Sequence, residues 1–404
     1  MPLISIWDTN PDAILEFSIE QLLATAGDGH LLDESECSRE LRLFFSQVSS
    51  EKLGEYADQC LTRRFDGNGK VLQDIVNELG RRLDYDVDNG RYQGTRNAVG
   101  NDGLWRSPEN HTLLIEVKTT DTYSISVDTI ANYRDNLVST SNISGENSML
   151  LVVGRYDTGQ LEAQVRGSRH AWDMRLISVD SLISLVRLKE NTEDAVTAEK
   201  IRSVLIPMEY TRLDRLVDVL FTAAQDVEAV VENESRPEAE SNDSNESTFV
   251  QDRTDLTLID SMRASILRSV ERSSGAKLIK KSRALYSSSD RSIGVACTVS
   301  KFYAEKNVKY WYAHHTPWQE FLERVTSGFL ALGCVDANFA FLLPFDVLGE
   351  KLPHLNTTIR NGKTYWHIHI TNPEPNFYQM LVPRTGEHLD LTPFTIQLVN
   401  DSQA

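Results

Sequence analysis

The sequence predicts a mixed α/β unit followed by a separate α+β unit, and three observations lead to that fold class. Residues 70–83 carry an apolar stripe at helical spacing, which predicts an amphipathic helix. Residues 148–154 form an almost entirely apolar run, typical of a central strand covered on both faces. Residues 228–252 are acidic, polar and poor in large apolar side chains, which predicts a disordered linker between the units.

The elements of the first unit are expected in the order helix, strand, strand, strand, helix, strand (α-β-β-β-α-β). A further helix is predicted upstream at residues 15–23, with Asp12 as its N-cap. These patterns divide the chain into an N-terminal helical cap (1–66), an α/β core (67–192), a helical connector (193–227), the linker (228–252) and the α+β unit (253–404).

The second unit has the pattern of an antiparallel α+β domain. A helix at residues 255–273 precedes a series of short strands, and one more helix is expected at 318–326. The unit is dense in aromatic residues, with basic residues interleaved among them. Such rings suit either stacking on nucleic-acid bases or a hydrophobic core.

Composition limits the classes of protein that fit. The chain has 404 residues, 40% of them hydrophobic, which is enough for real cores. It has no apolar run long enough to span a membrane and no basic segment at its start, so neither membrane insertion nor secretion is expected. The four cysteines are scattered, which favours the reducing cytoplasm.

Charge is distributed unevenly. The net charge of −18 opposes tight nonspecific binding to nucleic acid. Residues 1–250 hold 44 acids and 24 bases, however, whereas residues 251–404 hold 15 acids and 17 bases. Residues 263–309 hold 11 bases and 3 acids, so a local site for phosphate remains compatible with the composition.

The strongest candidate site is a hairpin. Residues 113–118 read as a buried strand on which Glu116 and Lys118, two positions apart, share a face. Asp102 precedes the loop 106–111, and a hairpin of that length brings Asp102 beside Glu116. Two carboxylates, with a backbone carbonyl such as that of Val117, make a hard oxygen site for Mg²⁺.

The spacing Asp102-x13-Glu116-x-Lys118 resembles the PD-(D/E)XK pattern of the restriction-endonuclease-like nucleases, with Asn101 where proline is often found. The resemblance covers about residues 67–190. It implies a DNA endonuclease of the restriction or anti-phage defence type, in which Asp102 and Glu116 hold Mg²⁺ or Mn²⁺ and Lys118 serves the attacking water. It also implies a 5′-phosphate and a 3′-hydroxyl as products, and a homodimer if both strands are cut.

Further residues are candidates for supporting roles. In the resembled fold, the helix before the sheet often sends a glutamate toward the metal. The corresponding neighbourhood here holds Gln73, Asp74 and Glu78, and Gln73 or Asp74 is the candidate for a supporting role or an extra ligand. The predicted nucleic-acid contacts are cations in loops and in the basic stretch: Arg91, Arg96, Arg166, Arg169, Lys277, Lys280, Lys281 and Arg283. Ordinary ion pairs and solvated loops explain the same residues equally well.

Three alternatives stay open at the level of sequence. The second unit is either a DNA-recognition domain or a sensor through which a ligand or partner protein activates nonspecific cleavage. A nuclease fold without catalysis, which only binds nucleic acid, is another interpretation, and a solvated hairpin with a surface Glu-x-Lys pair is the simplest. A zinc site built from His314, His315, His367 and His369 is less favoured, because no cysteine or acid lies at ligand spacing.

Overall fold

The computed structural model describes residues 3–92, 101–122, 126–140, 143, 145–155, 157–192, 195–207, 256–303, 308–360 and 363–398. Its contacts divide the chain into two compact units, Met1–Ala223 and Ala224–Ala404. The predicted linker 228–252 and residues 193–194 and 208–227 of the predicted connector lie outside the described residues. No helix among the described residues is long and apolar enough to cross a bilayer.

The first unit is a mixed α/β fold. Its helices are α1 (Leu3–Thr9), α2 (Pro11–Leu15), α3 (Ile19–Thr25), α4 (Glu36–Phe45), α5 (Ser50–Thr62), α6 (Asn68–Arg82), α7 (Val127–Ser139), α8 (Gln160–Gly167), α9 (Val179–Glu190) and α10 (Ala195–Ser203). Its strands are β1 (Asp86–Asn89), β2 (Gly103–Arg106), β3 (His111–Lys118), β4 (Glu146–Val153) and β5 (Met174–Ser178).

These strands form one sheet in the order β1-β2-β3-β4-β5. The β1–β2 and β2–β3 pairs are antiparallel, whereas β3–β4 and β4–β5 are parallel and are connected through α7 and α8. The predicted central strand is β4, which pairs on both sides. One hydrophobic core joins a face of this sheet to α6 and to the N-terminal helices, through buried residues such as Phe44, Ile75 and Ile115.

The prediction of a single helix at residues 15–23 is wrong. The chain forms α2 and α3 with a break at Glu16–Ser18. Ser18 accepts a hydrogen bond from the Gln21 amide while the Gln21 side chain accepts one from the Ser18 amide, a capping box that starts α3. The N-cap of α2 is Asn10, and Asp12 lies in its first turn.

The second unit contains two further sheets. Its helices are α11 (Leu256–Ser274), α12 (Thr316–Leu322) and α13 (Phe345–Lys351), with 3₁₀ turns at Leu352–His354 and Thr392–Phe394. Its strands are β6 (Ile279–Lys280), β7 (Leu285–Ser287), β8 (Ile293–Ser300), β9 (Tyr310–His315), β10 (Ser327–Cys334), β11 (Phe339–Pro344), β12 (Thr357–Arg360), β13 (Lys363–Glu374), β14 (Phe377–Val382), β15 (Glu387–Asp390) and β16 (Thr395–Gln397).

The six-stranded sheet has the order β16-β11-β10-β8-β7-β6, and the five-stranded sheet joins β12 to β15 with β9 paired to β13. A shared core of buried side chains from both, including Leu330, Phe341 and Ile368, packs the two sheets face to face. The expectation of an antiparallel unit fails at one pair, because β8 and β10 are parallel. The crossover through β9 and α12 makes that pairing feasible. Helix α13 was not predicted from the sequence.

Candidate active site

The hairpin of β2 and β3 sets the register of the candidate site. Gly103 pairs with Ile115, so the preceding residue, Asp102, lies level with Glu116. The Asp102 amide donates to the Ile115 carbonyl at 3.0 Å. The turn between the strands closes through Asn110, whose φ of 65° is a left-handed conformation that asparagine tolerates.

Strand alternation separates the polar side chains of β3 from its core side chains. Ile115 and Val117 are buried in the core shared with α6, whereas Glu116 and Lys118 emerge on the other face, half-buried. The Lys118 Nζ lies 2.6 Å from Glu116 Oε1. Their spacing on one strand therefore produces a carboxylate and an ammonium group in direct contact.

The Asp102 carboxylate is directed at the same strand. Its Oδ2 accepts a hydrogen bond from the Val117 amide at 2.7 Å. Burial raises the pKa of the Asp102 carboxyl to about 7, and the nearby Glu116 carboxylate adds to the rise, while the Val117 amide and Lys118 oppose it. The two carboxylates therefore lie close together in a largely buried site, and a cation bound between them would reduce their electrostatic repulsion.

Helix α6 holds the main chain of Asp102. The Asp102 carbonyl accepts hydrogen bonds from Asn77 Nδ2 at 2.8 Å, Gln73 Nε2 at 3.1 Å and the Gly90 amide at 3.1 Å. Gln73 and Asn77 are four residues apart and therefore lie on the same face of the helix. Gln73, a predicted supporting residue, thus contacts the backbone of Asp102.

Close packing between α6 and β2 requires glycine at two positions. Asn77 Oδ1 accepts a hydrogen bond from Trp105 Nε1 at 2.9 Å. A Cβ atom on Gly103 would stand 2.2 Å from Asn77 Oδ1, and one on Gly80 would stand 2.5 Å from the Trp105 indole. The absence of a side chain at both positions lets the helix approach the strand that carries Asp102.

Asp74, the other predicted supporting residue, is engaged elsewhere. Its buried carboxylate accepts a hydrogen bond from Arg42 Nε of α4 at 2.9 Å and another from the Tyr92 hydroxyl. Burial raises the pKa of Asp74 to about 6 against the opposing effects of Arg42 and Tyr92. Tyr92 is also held by its amide, which donates to Asp33 Oδ1 at 2.8 Å. Asp74 therefore anchors Tyr92 to the N-terminal helices.

Asp121 is a structural residue that sequence reasoning missed. Its buried carboxylate accepts hydrogen bonds from the amides of Asp157 and Thr158, both at 2.8 Å, and from the amide of Gly159. The Gly154 amide donates to the Lys118 carbonyl at 2.7 Å. Together these bonds fix the loop between β4 and α8 beside the end of β3. An aspartate three residues after Lys118 carries no sequence signal for such a distant partner.

The cations predicted to contact nucleic acid in the first unit have different surroundings. Arg91 is exposed, and Arg96 lies outside the described residues. The side chains of Arg166 and Arg169 are each 76% exposed and form ion pairs, Arg166 with Glu162 and Arg169 with Asp128 at 3.3 Å. Exposed pairs of this kind contribute little to stability, so a phosphate can replace the carboxylate at small cost.

The basic stretch of the second unit, residues 277–283, includes β6 and most of the turn that leads to β7 at the edge of the sheet. Lys277 pairs with Glu271 at 3.5 Å, while Lys280, Lys281 and Arg283 are half-buried. Nothing in these contacts assigns the stretch to nucleic acid.

The histidines predicted as a weak zinc candidate are dispersed between two faces of the five-stranded sheet. His314 lies on the buried face, whereas His315, His367 and His369 lie on the opposite one. Across the described residues, no group of three or more His, Cys, Asp or Glu side chains is arranged to hold a metal ion.

Asp102 and Glu116 nonetheless suit a hard divalent cation. Among the hydrogen bonds of the described residues, none uses Asp102 Oδ1 or Glu116 Oε2. Mg²⁺ is commonly held by one or two carboxylates and keeps several waters, so a two-carboxylate set with an adjacent ammonium group fits it. The role of the Val117 carbonyl as a third ligand stays a prediction.

No family model matches the chain, and neither does any curated protein.

Proposed function

We propose that this protein is a metal-dependent DNA endonuclease of the PD-(D/E)XK type. The observation that carries the proposal is the convergence of Asp102, Glu116 and Lys118 at one end of β3. The order of elements from α6 to β4 is the helix, three strands, helix and strand of the resembled fold, and it gives the proposal further support.

The proposed cofactor is Mg²⁺ or Mn²⁺ held by Asp102 and Glu116. When bound, such an ion lowers the pKa of a coordinated water and neutralises charge on the phosphate. Burial and, after it, the neighbouring Glu116 carboxylate raise the pKa of Asp102, so a bound cation would stabilise both carboxylates in their charged form. The Asn77, Gln73 and Gly90 contacts keep the Asp102 backbone in position for ligation.

The chemistry is hydrolysis of a phosphodiester. A water oxygen forms the new bond to phosphorus, the bond between phosphorus and O3′ breaks, and the electron pair stays on O3′, which takes up a proton. The products are a 5′-phosphate and a 3′-hydroxyl. In this proposal the Lys118 ammonium, which contacts Glu116, donates hydrogen bonds to the attacking water and stabilises the charge that develops on the phosphate.

The setting that we propose is restriction of foreign DNA, with the second unit as a DNA-recognition domain. The described residues of one chain form one such site, so cutting both strands requires two chains, and we propose a homodimer for that reason. Sedimentation of the protein with and without duplex DNA tests the dimer separately from cleavage.

The test is cleavage of supercoiled plasmid in Mg²⁺ by the wild type and by Lys118→Ala, Asp102→Asn and Glu116→Gln. We expect each substitution to reduce cleavage by roughly 100-fold or more, because each removes a group that acts on the transition state. Methylated and unmethylated plasmids, analysed in parallel, report dependence on base modification.

A matched control is Lys52→Ala, since Lys52 pairs with Glu55 on α5 and belongs to no part of the site. It should cut like the wild type. Cleavage that survives Lys118→Ala would contradict the assignment. Direct binding of Mn²⁺, followed by electron paramagnetic resonance, should weaken in Asp102→Asn and stay unchanged in Lys52→Ala.

A second candidate is a nuclease that cuts nonspecifically once a ligand or partner protein binds the second unit. The net charge of −18 favours it, because such a surface opposes constitutive binding to DNA. A wild type that binds Mn²⁺ at Asp102 but cuts no plasmid, and that gains activity on addition of a cell extract, would favour this candidate over the first.

A further inference from the structure

One face of the five-stranded sheet carries a row of rings. In the pairing of β9 with β13, Trp311 lies opposite His369 and His315 lies opposite Tyr365. Because side chains alternate along a strand, these four residues and His367 point to the same side of the sheet. We call this surface the ring face: Trp311, His315, Tyr365, His367 and His369.

The ring face is the side of the sheet that the core does not use. Tyr310, Tyr312 and Ile368, which alternate with the ring-face residues, are buried between the two sheets. Trp311 and Tyr365 belong to none of the hydrophobic clusters formed by the described residues. All five ring-face residues are half-buried, so their rings keep some access to solvent.

The rings touch one another in an unbroken series. Ring centroids are 5.7 Å apart for Trp311 and His367, 5.4 Å for Tyr365 and His367, 5.8 Å for His315 and Tyr365, and 6.0 Å for His367 and His369. Such spacing is that of neighbouring aromatic side chains in contact, and it presents a continuous platform of rings.

Hydrogen bonds fix the central ring. Trp311 Nε1 donates to His367 Nδ1 at 3.1 Å, and His367 Nε2 lies 2.7 Å from Thr358 Oγ1. An indole nitrogen can only donate, so the imidazole of His367 accepts at Nδ1 and donates from Nε2 to the threonine. His367 therefore has both nitrogens engaged, which suits a held stacking ring better than a metal ligand or a general base.

The two strands that carry the ring face, β9 and β13, hold one acidic residue, Glu374 at the end of β13, although the chain as a whole carries a charge of −18. Residues 306–319 and 351–373 contain no Asp or Glu, and they hold basic residues at Lys306, Lys309, Lys351, Arg360 and Lys363. A platform of rings beside stretches that contain bases and few acids is complementary to a ligand that combines planar groups with negative charge.

We propose that the ring face binds single-stranded nucleic acid, with unpaired bases stacked on Trp311 and Tyr365. In a duplex the bases stack on each other and do not offer their faces, so the ligand is an unpaired stretch of DNA or RNA. The inference extends the proposed function by giving the second unit a ligand of its own, and it does not depend on cleavage at Asp102.

The test measures fluorescence anisotropy of labelled oligonucleotides with the full-length protein in EDTA, so that no cleavage occurs. The ligands are oligo-dT, oligo-rU and a DNA duplex, each of about 20 nucleotides or base pairs. The two single strands separate DNA from RNA as the source of the bases. We expect a single strand to bind at least roughly tenfold more tightly than the duplex, and Trp311→Leu and Tyr365→Leu each to raise that Kd roughly tenfold.

Two controls distinguish stacking from general effects. Trp311→Phe keeps a ring and should retain most of the binding. Trp172→Leu removes a tryptophan that is 67% exposed in the first unit and should bind like the wild type. Circular dichroism checks the fold of each variant. If Trp311→Leu does not fold, two other measurements test binding at the ring face. One is the Kd of Tyr365→Leu. The other is photocrosslinking of the wild type to oligo-dT, with adducts expected in peptides from β9 or β13.

Absence of single-strand binding at micromolar protein, equal binding by the leucine variants, or adducts confined to the first unit would each overturn the proposal. The same would hold for a preference for the duplex. None of these results bears on plasmid cleavage by the wild type. A failure of the ring-face proposal is therefore distinguishable from a failure of the proposed nuclease function.

Discussion

At the scale of single residues, Asn77 connects the fold to the candidate site. It is buried on α6, its Nδ2 donates to the Asp102 carbonyl and its Oδ1 accepts from the Trp105 indole. One amide therefore satisfies a buried acceptor and a buried donor at the same time. The position of Asp102 depends on this side chain as much as on the hairpin.

Asn77→Ala should destabilise the first unit by about 1–3 kcal/mol, because it leaves the buried indole nitrogen of Trp105 without its acceptor. Urea unfolding followed by tryptophan fluorescence measures the change. Under the proposed function, plasmid cleavage at a temperature where the variant remains folded should also fall. The control is Asn147→Ala on β4, whose side chain, among the described residues, donates to the nearby Gly145 carbonyl. Equal stability of Asn77→Ala and Asn147→Ala would contradict the role of Asn77.

His314 in the second unit contrasts with Asn77, because its buried polar side chain lies among aromatic rings and not among hydrogen-bonding groups. Neither ring nitrogen has a hydrogen-bond partner among the described residues, and the ring packs against Trp318, Phe345 and Trp366. Burial lowers the pKa of His314 from 6.5 to about 3, with a further contribution from His315. The folded protein thus keeps this imidazole neutral.

The pH dependence of stability follows from that shift. In the unfolded chain His314 takes up a proton near pH 6.5, whereas in the folded chain it stays neutral down to about pH 3. The free energy of unfolding should therefore decrease as the pH falls from 6.5 toward 3, and His369, whose pKa burial lowers to about 4, acts in the same direction.

Melting curves between pH 7 and pH 4 should show a smaller decrease in Tm for His314→Phe than for the wild type. His388→Gln, at an exposed position on β15, should follow the wild type. Parallel curves for His314→Phe and the wild type would refute the assignment.

At the scale of elements, local patterns were informative where one face of a helix or strand is buried. The stripe at residues 70–83 lies in α6 up to Arg82, and the apolar run at 148–154 forms most of β4, which ends at Val153 and is covered on both faces. The break between α2 and α3 was missed because helical spacing continues across it, while the capping box of Ser18 and Gln21 decides where the second helix starts. The parallel pairing of β8 with β10 depends on a crossover that periodicity does not report.

The loop before α8 offers a test at this scale. Asp121→Ala would remove the acceptor for the amides of Asp157, Thr158 and Gly159. Hydrogen exchange of the peptide that covers residues 155–163 should become faster, because amides at a helix start then lack a partner. Asp121→Asn keeps one acceptor oxygen and should give an intermediate rate. Unchanged exchange in Asp121→Ala would show that other contacts hold the loop.

At the scale of the whole molecule, the chain consists of two compact units with separate cores and different charge. The first 250 residues carry a large acidic excess, whereas the remainder is almost balanced. The predicted acidic linker lies between the described parts of the two units. This arrangement lets one unit carry the candidate catalytic site while the other offers a surface compatible with a polyanion.

Limited digestion with a glutamate-specific protease tests the predicted division. The segment 228–252 contains glutamates at 228, 232, 234, 238, 240 and 246, and its composition predicts easy access for the protease. Mass spectrometry of a time course should find the first cuts there, followed by two resistant fragments. First cuts within β-strands of the second unit, or at Glu109 and Glu116, would contradict the domain boundaries.

The sequence alone determined the mixed α/β character of the first unit, the hairpin and the pairing of Glu116 with Lys118, because these depend on residue periodicity and short-range geometry. It also indicated that Asp102 would lie near them, since a short loop restricts where the hairpin returns. Only the tertiary structure decided that Gln73 and Asn77 hold the Asp102 carbonyl, that Asp74 turns instead to Arg42, and that Asp121 fixes a loop 36 residues away. It likewise decided which rings of the second unit lie in the core and which form the ring face. These contacts join residues far apart in the chain, and a local pattern cannot specify a partner whose position depends on how the other elements pack.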